Sequence, residues 1–512
     1  MIVPPAPQPG MQETPQVYPG QFLGSPSVSE NSQPPAIPQA QPAATDAALP
    51  INLATALYLS NARPLVIASA RASVEEAAAQ LQRADVLWLP NLNFGVDYCR
   101  HDGLDQSTNG AMLYDRKYSF AAGGGATLDF GVTDAIFLPL ANRQELAARE
   151  ADLQTVRNDA LLSVALAYFD VQQARGSLAG TEDAVVKAKL LVEKTTSLSK
   201  GLVAEIEIDR ARAELYDLEQ QVATARANWR IASTRLTRVL RLNPAAVVVP
   251  LEPPHLQVTL ISPQAAVADL IPVGLTNRPE LAAQRAEVAA SVQRVRQERC
   301  RPLLPSVVVE GAGPGGFYNG GVFGGGPDSG PHVYDGRFDA EVGVVWTLQN
   351  LGVGNRALVR ERVAQQQQAS IDFANTQDQV AQDVVQAHAI LEAATAEVQR
   401  ATANVKEAGI TYTGTLTGIG ETRGGGELIQ LVNRPQEAVA ALIQLNRAYG
   451  LYFTAVNDYN RAQFQLYRAL GYPARILVCE HPVGQTGTVD TSRPAGMAPV
   501  CPHVLSDPCP CP

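Results

Sequence analysis

From Asn142 to Ser199 apolar residues recur at three- and four-residue spacing, Leu153, Val156, Ala160, Val164, Ala167 and Val171 among them, and no proline interrupts the run. This periodicity predicts one continuous amphipathic helix. At 1.5 Å per residue it would be about 85 Å long, several times an average globular helix. Downstream of the stretch that opens Lys200-Gly201-Leu202-Val203-Ala204 the pattern resumes and lasts until Leu242-Asn243-Pro244. Two helices of this length joined end to end make a coiled-coil hairpin, a rod and not a globular core. Such a rod holds its turn far from the rest of the chain.

Arg63-Pro64 and Leu89-Pro90 repeat, at one common offset, as Arg278-Pro279 and Leu304-Pro305. The offset predicts two internal copies of one plan. Each copy runs through a helix (about 52 to 86, and 267 to 300), Leu-Pro, an alternating strand, a loop, a second strand, a Gly-containing bend and a long hairpin. Asn142-Arg143 and Asn355-Arg356 open the two long arms, and Leu240 and Leu470 end the returning ones. The expected division is a disordered Pro/Gln-rich segment (1–48), a first copy (49–245), a linker (246–266), a second copy (267–473) and a disordered Pro/Cys-rich tail (474–512). The N-terminal segment shows no basic region followed by an apolar one, so no signal peptide is visible in it.

The strands carry the sharpest local signal. In the first, Leu92, Phe94, Val96 and Tyr98 share one face, opposite Asn93 and Asp97. In the second, Tyr118, Phe120, Leu128 and Phe130 oppose Ser119, Thr127 and Asp129, and in the fourth Phe338, Val342, Val344, Trp346 and Leu348 oppose Asp339 and Glu341. The third, from Ser306 to Gly313, is ambiguous because Val308 breaks its polar face. For any single strand this alternation also fits a half-buried sheet in a soluble protein. For the set, long strands with aromatics at both ends of the apolar face resemble the girdles of a membrane barrel. The apolar set (Leu92, Phe94, Val96, Tyr98, Phe120, Phe130, Val342, Val344, Trp346) would then face lipid, and Asn93, Asp97, Asp129, Asp339 and Glu341 the lumen. Four strands cannot close a barrel, and open edges in lipid would leave unpaired backbone groups. The missing strands must come from other subunits: closure needs at least two chains, and three would give twelve strands.

Composition removes several classes. A net charge of −10 argues against a nucleic-acid surface. No run of eighteen apolar residues exists, which excludes a spanning helix but leaves a β-barrel open. Cys479, Cys501, Cys509 and Cys511 lie in the tail with His481 and His503, at spacings that match no standard metal site, while Cys99 and Cys300 are isolated. Gly311, Gly313 and Gly316 fit a dinucleotide fingerprint in spacing only, because Pro314 sits inside and no helix follows. No Gly-x-Ser-x-Gly, His-Glu-x-x-His or phosphate loop appears, so no catalytic, cofactor or metal residues are assigned and no enzymatic activity is expected.

The order helix, strand pair, long hairpin, written twice over about residues 50 to 475, resembles the TolC-like outer-membrane efflux proteins. The most specific residues are Gly201-Leu202-Val203-Ala204, Glu207 and Ala211-Arg212-Ala213, with Asn61 to Pro64, Leu89-Pro90 and Leu470-Gly471-Tyr472-Pro473 as weaker marks. The resemblance implies a mainly α fold with a small β part. It implies a homotrimer with a twelve-stranded outer-membrane β-barrel, and long coiled-coil hairpins forming a periplasmic tunnel. It also implies a periplasmic adaptor and an inner-membrane pump of resistance-nodulation-division, ABC or major-facilitator type as partners, and passive conduction. On this reading Glu205, Glu207, Asp209, Arg212, Gln430 and Asn433 line the tunnel mouth, and Gly201, Leu202, Val203, Gly418 and Arg423 dock the adaptor. Gln430 and Asn433 stand where the family has carboxylates, and Thr417 to Gly426 carries an inserted Thr-Arg-Gly-Gly-Gly segment. A non-conducting cell-envelope scaffold is the alternative, and a soluble coiled-coil protein the third.

Overall fold

Two helices of 67 and 66 residues, α3 (Val132–Leu198) and α7 (Val353–Gly418), run the length of the molecule. At 1.5 Å per residue each is about 100 Å long. The computed structural model describes residues 38–62, 64–198, 203–310, 320–327, 331–338, 340–419, 421–425, 428–431 and 433–472. In the first half β1 (Ala47–Ile51), α1 (Leu53–Ala62), α2 (Leu65–Asp85), β2 (Asn91–Gln106) and β3 (Met112–Gly131) precede α3, and α4 (Glu205–Leu240) follows it. In the second half β4 (Ala246–Pro250), α5 (Val267–Asn277), α6 (Pro279–Cys300), β5 (Ser306–Glu310), β6 (Gly320–Pro327), β7 (Val333–Phe338) and β8 (Glu341–Val345) precede α7. A short hairpin, β9 (Thr422–Gly425) and β10 (Leu428–Leu431), then leads into α8 (Pro435–Ala469).

The first long arm starts ten residues before the expected Asn142 and passes through Pro139, which is buried. After Thr133 and Asp134 the segment Ala135 to Ala141 is apolar on every side, so no helical face marks it in the sequence. Each expected short helix is two helices, with Pro64 preceding the second in the first copy and the break at Arg278-Pro279 in the other. A proline disfavours the α conformation in the residue before it, and Arg278 is extended (φ −66°, ψ 122°). Its guanidinium, buried, donates to the Ala469 carbonyl at 2.9 Å and to Asp383 at 2.8 Å, tying the break to the end of α8 and to α7.

The helices form a wall. Near the sheet α3 lies between α2 and α6, and α7 packs on α6; in the distal half α3 lies between α4 and α8, and α7 packs on α8. Gly176 and Gly180 of α3 let α8 approach closely: a Cβ at Gly176 would stand 2.4 Å from the Phe453 ring, and one at Gly180 2.7 Å from Cβ of Tyr449. Between the halves β1 and β4 pair in parallel. Arg175 of α3, buried at 3% exposure, donates to the Ala40 and Pro250 carbonyls and to Gln39 Oε1. Ala40 is buried and Asp46 pairs with Arg230 at 2.9 Å. Residues 38–48 and the expected linker 246–266 therefore belong to this packed belt, because a buried guanidinium needs their carbonyls.

The sheet is a meander of four strand tracks: β2, then β3, then β5 with β6, then β8 with β7. Beyond the third strand expected from Ser306 to Gly313, where the sequence predicts only a loop before the fourth, Gly320–Pro327 forms a further strand, β6, which pairs with β3 from Lys117↔Pro327 to Gly124↔Gly320. The dinucleotide-like glycines Gly311, Gly313 and Gly316 lie outside the described residues. The first two strands are also longer than expected, reaching Gln106 and starting at Met112.

Candidate functional site: a two-faced sheet and the distal turns

Strand register places the even-numbered residues of β2, β3, β6, β7 and β8 on one face, together with the odd-numbered ones of β5. Phe94, Gly124, Gly320 and Phe338 form a row across all four tracks, and Tyr98, Phe120, Gly324 and Tyr334 form another. The glycines seat the aromatic rings: a Cβ at Gly124 would meet the Phe94 ring at 2.4 Å, and one at Gly324 the Tyr334 ring at 2.4 Å. Leu92, Val96, Val342 and Val344 share this face and are exposed, as are Phe94 (81%) and Phe338 (76%). Phe120 and Phe130 are half-buried, Phe130 edge-on to Trp88 at 5.9 Å. Trp346, also exposed, follows directly after the last residue of β8.

The odd-numbered residues of those five strands line the other face, with the even-numbered ones of β5. Asn93 Nδ2 donates to Thr127 Oγ1 at 2.7 Å, Asp97 lies opposite Ala121, and Asp129 opposite Val308. Register resolves the ambiguous third strand: Val307 and Val309 fall on the apolar face, and Val308 on the polar one between Asp129 and Gly343. Glu341, paired with Glu310, shares that polar face; Asp339 lies outside the described residues. Among the described residues β2 pairs only with β3, and β7 and β8 only with β6 and β5, so both outer edges of the sheet are open. No described helix is long and apolar enough to cross a membrane.

At the opposite end, Gly201 and Leu202 lie outside the described residues, and Val203 is half-buried. Glu205 and Glu207 occupy the first turn of α4, where the helix dipole favours negative charge. Glu207 pairs with Arg210 at 2.6 Å and Asp209 with Arg212 at 3.8 Å, so two of the three carboxylates expected at the mouth have arginine partners on their own helix. The second turn differs from expectation. Gln430 lies in strand β10 opposite Arg423 of β9, not in a returning arm, because Thr422–Gly425 forms one side of a β-hairpin. Asn433 folds back on the end of α7: its N–H donates to the Gly418 carbonyl at 3.4 Å, and its amide reaches the Gly414 and Thr415 carbonyls at 3.5 Å. Gly418 and Asn433, expected in separate roles, form one contact. A Cβ at Gly418 would stand 2.4 Å from Asn433 Nδ2.

Sequence reasoning missed the residues that join the two hairpins. Lys194 Nζ donates to the Leu416 and Thr417 carbonyls, capping the C-terminus of α7. Tyr412 donates to the Lys187 carbonyl at 2.8 Å and Tyr449 to Asp183 at 2.7 Å, while Asp183 also pairs with Lys187. Burial pushes both phenols well above the usual tyrosine range, and for Tyr449 the Asp183 contact adds to it. These hydroxyls stay protonated and remain donors. A tyrosine at a coiled-coil core position is a sequence signal for such a partner, though it does not say which partner.

Residues 56–240 match the family described as Outer membrane efflux protein. No curated protein matches by sequence. Several solved structures are similar in fold. The outer-membrane channel OprN is 17% identical, with a TM-score of 0.63 over 82% of this chain and 89% of that one. VceC from Vibrio cholerae is 17% identical, with a TM-score of 0.62 over 82% and 96%. The MtrE outer membrane channel of Neisseria gonorrhoeae, in its open state, is 16% identical, with a TM-score of 0.63 over 87% and 98%. Residues 56–240 thus carry the match to the outer membrane efflux protein family, and the chain as a whole, with a two-faced sheet at one end and paired helical hairpins at the other, shares the fold of these outer-membrane channels.

Proposed function

We propose that three copies of this chain close a twelve-stranded barrel and extend a helical tunnel into the periplasm. The assembly is the passive exit duct of a tripartite efflux or type I secretion system, fed by a periplasmic adaptor and an inner-membrane pump of resistance-nodulation-division, ABC or major-facilitator type. The observation that carries this reading is the sheet with one apolar face, one polar face and two open edges. In hydrocarbon each unpaired backbone group costs several kcal/mol, and edge-to-edge pairing between copies removes that cost. Twelve tilted strands leave a lumen wide enough for solutes, lined by Asn93, Asp97, Asp129 and Glu341.

The turn at Val203 and the β9–β10 hairpin are the natural adaptor contacts, since they form the end farthest from the sheet. Reconstitution into planar bilayers tests the conduit: steady conductance is expected. A protein that is trimeric by light scattering yet conducts nothing would favour the scaffold reading instead.

A further inference from the structure

We infer that the outer end of the sheet's apolar face binds the phosphorylated sugar headgroup of an outer-leaflet glycolipid. The inference rests on that face looking into lipid. Beyond the row of Tyr98 and Phe120, the next even-numbered pairs are Arg100 opposite Tyr118, Asp102 opposite Arg116, and Leu104 opposite Tyr114. The tyrosines form a connected belt. The Tyr98 and Tyr118 rings are 6.0 Å apart, the Tyr334 and Tyr118 hydroxyls 3.3 Å apart, and the His332 ring lies 5.1 Å from Tyr118. Tyrosine rings of this kind sit at the interface between hydrocarbon and headgroups.

Charge is sorted between the two faces at this end. Asp97, Asp105, Asp115 and Asp335 lie on the odd-numbered, lumen side, where Lys117 pairs with Asp105. Among the described residues of β2, β3, β6 and β7, Asp102 is the one carboxylate on the apolar face, and Arg100 is paired with it at 2.8 Å. The Arg116 guanidinium lies 5.9 Å from the Tyr114 ring, on the same face. Arg100 and Arg116 thus outnumber their one counter-charge, Asp102, just above the tyrosine belt, at the level of lipid phosphates. Guanidinium groups recognise phosphate oxygens in bidentate fashion.

Height separates a glycolipid from a phospholipid. Leu104 lies six residues beyond Tyr98, about 20 Å along the strand and about 14 Å along the membrane normal at a tilt of about 45°. A phospholipid headgroup layer is only about 5–7 Å thick on each side of the hydrocarbon. Leu104, Met112 and Tyr114, all exposed on this face, therefore stand above any phospholipid headgroup. They are level with the sugars of a glycolipid, and the flat faces of sugar rings pack on aromatic side chains.

The test uses the full-length protein, delipidated in detergent, with diphosphorylated lipid A carrying inner-core sugars as the probe and binding counted by native mass spectrometry. Unmodified protein is expected to bind it about tenfold more tightly than the same glycolipid after phosphatase treatment, and about tenfold more tightly than dioleoyl phosphatidylglycerol. The double variant Arg100→Gln with Arg116→Gln should lose about tenfold, while Lys117→Gln, on the opposite face of the same strand, should bind as the unmodified protein does. Equal binding of the dephosphorylated glycolipid or of phosphatidylglycerol overturns the inference, as does an equal loss in the Lys117 variant. The lipid comparison needs no variant, so it decides the question even if the double variant folds poorly. A protein that conducts but discriminates none of these lipids would sink this inference and leave the channel reading standing.

Discussion

The two returning arms are close to equal in length, 36 residues for α4 and 35 for α8, yet they differ in what they bury. The arm α8 sits between α3 and α7 and buries Tyr449, Tyr452, Phe453, Tyr459, Phe464 and Tyr467. The arm α4 packs along α3 and touches α8 near the distal end, through Arg210 with Gln436 and Asn446 with Gln221. It leaves Ile206, Tyr216 and Ile231 exposed. At the other side of the wall α7 exposes Ile371, Ile390 and Ile410. The contrast separates an interior helix from two edge helices, and in the trimer proposed above the edge helices are where neighbouring copies would join. The sheet repeats the pattern, with β2 at one edge and β7 and β8 at the other.

The interior side of the comparison carries the largest expected effect. Phe453→Ala would empty the space over Gly176 and should cost about 3–5 kcal/mol, read from the guanidinium unfolding midpoint in detergent. Tyr216→Ala on α4 should stay within about 0.5 kcal/mol in the dissociated chain. Equal losses would mean that α4 is not an edge. Filling the groove from the other helix tests the same contact: Gly176→Val should destabilise by about 1–3 kcal/mol through overpacking, despite the gain in helix propensity.

Next in size is the difference between the faces of the sheet. Phe94→Arg sets a charge against lipid and should cost about 2–4 kcal/mol near the midplane, whereas Asn93→Arg, one residue away on the lumen face, should be tolerated. Refolding into vesicles, followed by urea titration, measures both. Similar midpoints for the two variants would show that the faces are misassigned.

A smaller effect is expected where copies would meet. Tyr216→Asp combined with Ile410→Asp places carboxylates on both exposed edges of the wall. The chain should keep its helical circular dichroism while losing the trimer mass in light scattering. Trimers that survive both charges would move the interface elsewhere.

The long arms and the strand faces could be read from the sequence because each rests on a local period: three to four residues for Leu153 through Val171, two for Leu92 through Tyr98. Strand β6 could not, since Gly320, Gly321 and Gly324 to Gly326 carry no side chains to display alternation. Their role appears only when the Phe338 and Tyr334 rings lie across them. The β9–β10 hairpin was hidden for a related reason, as Thr-Arg-Gly-Gly-Gly reads as a turn insertion. The Lys194 cap and the Asp183–Tyr449 bond join residues more than two hundred positions apart, and no local pattern encodes such a pair.

The two distal turns give the smallest effect. The first presents Glu205, Glu207 and Asp209, and the second Gln430 and Asn433, whose amides carry no charge. Three bare carboxylates about 8 Å apart would repel by about 2 kcal/mol per pair at an effective dielectric of about 20, less with salt. Glu207 is not bare, because Arg210 stands 2.6 Å from it, and Arg212 stands near Asp209. Glu207→Gln should therefore change the cation-to-anion permeability ratio by less than about twofold. Trivalent cations added from the periplasmic side should block the unmodified channel only weakly. Gln430→Asp would supply the missing charge and should tighten that block. Asn433→Asp is expected to act differently, since it would set a carboxylate against the Gly414 and Thr415 carbonyls at the negative end of α7 and loosen the tip. Single-channel current against trivalent cation concentration reads all of these. Tight block of the unmodified protein would mean that the first turn's carboxylates face the lumen free of their arginines, which the Glu207–Arg210 pairing does not allow.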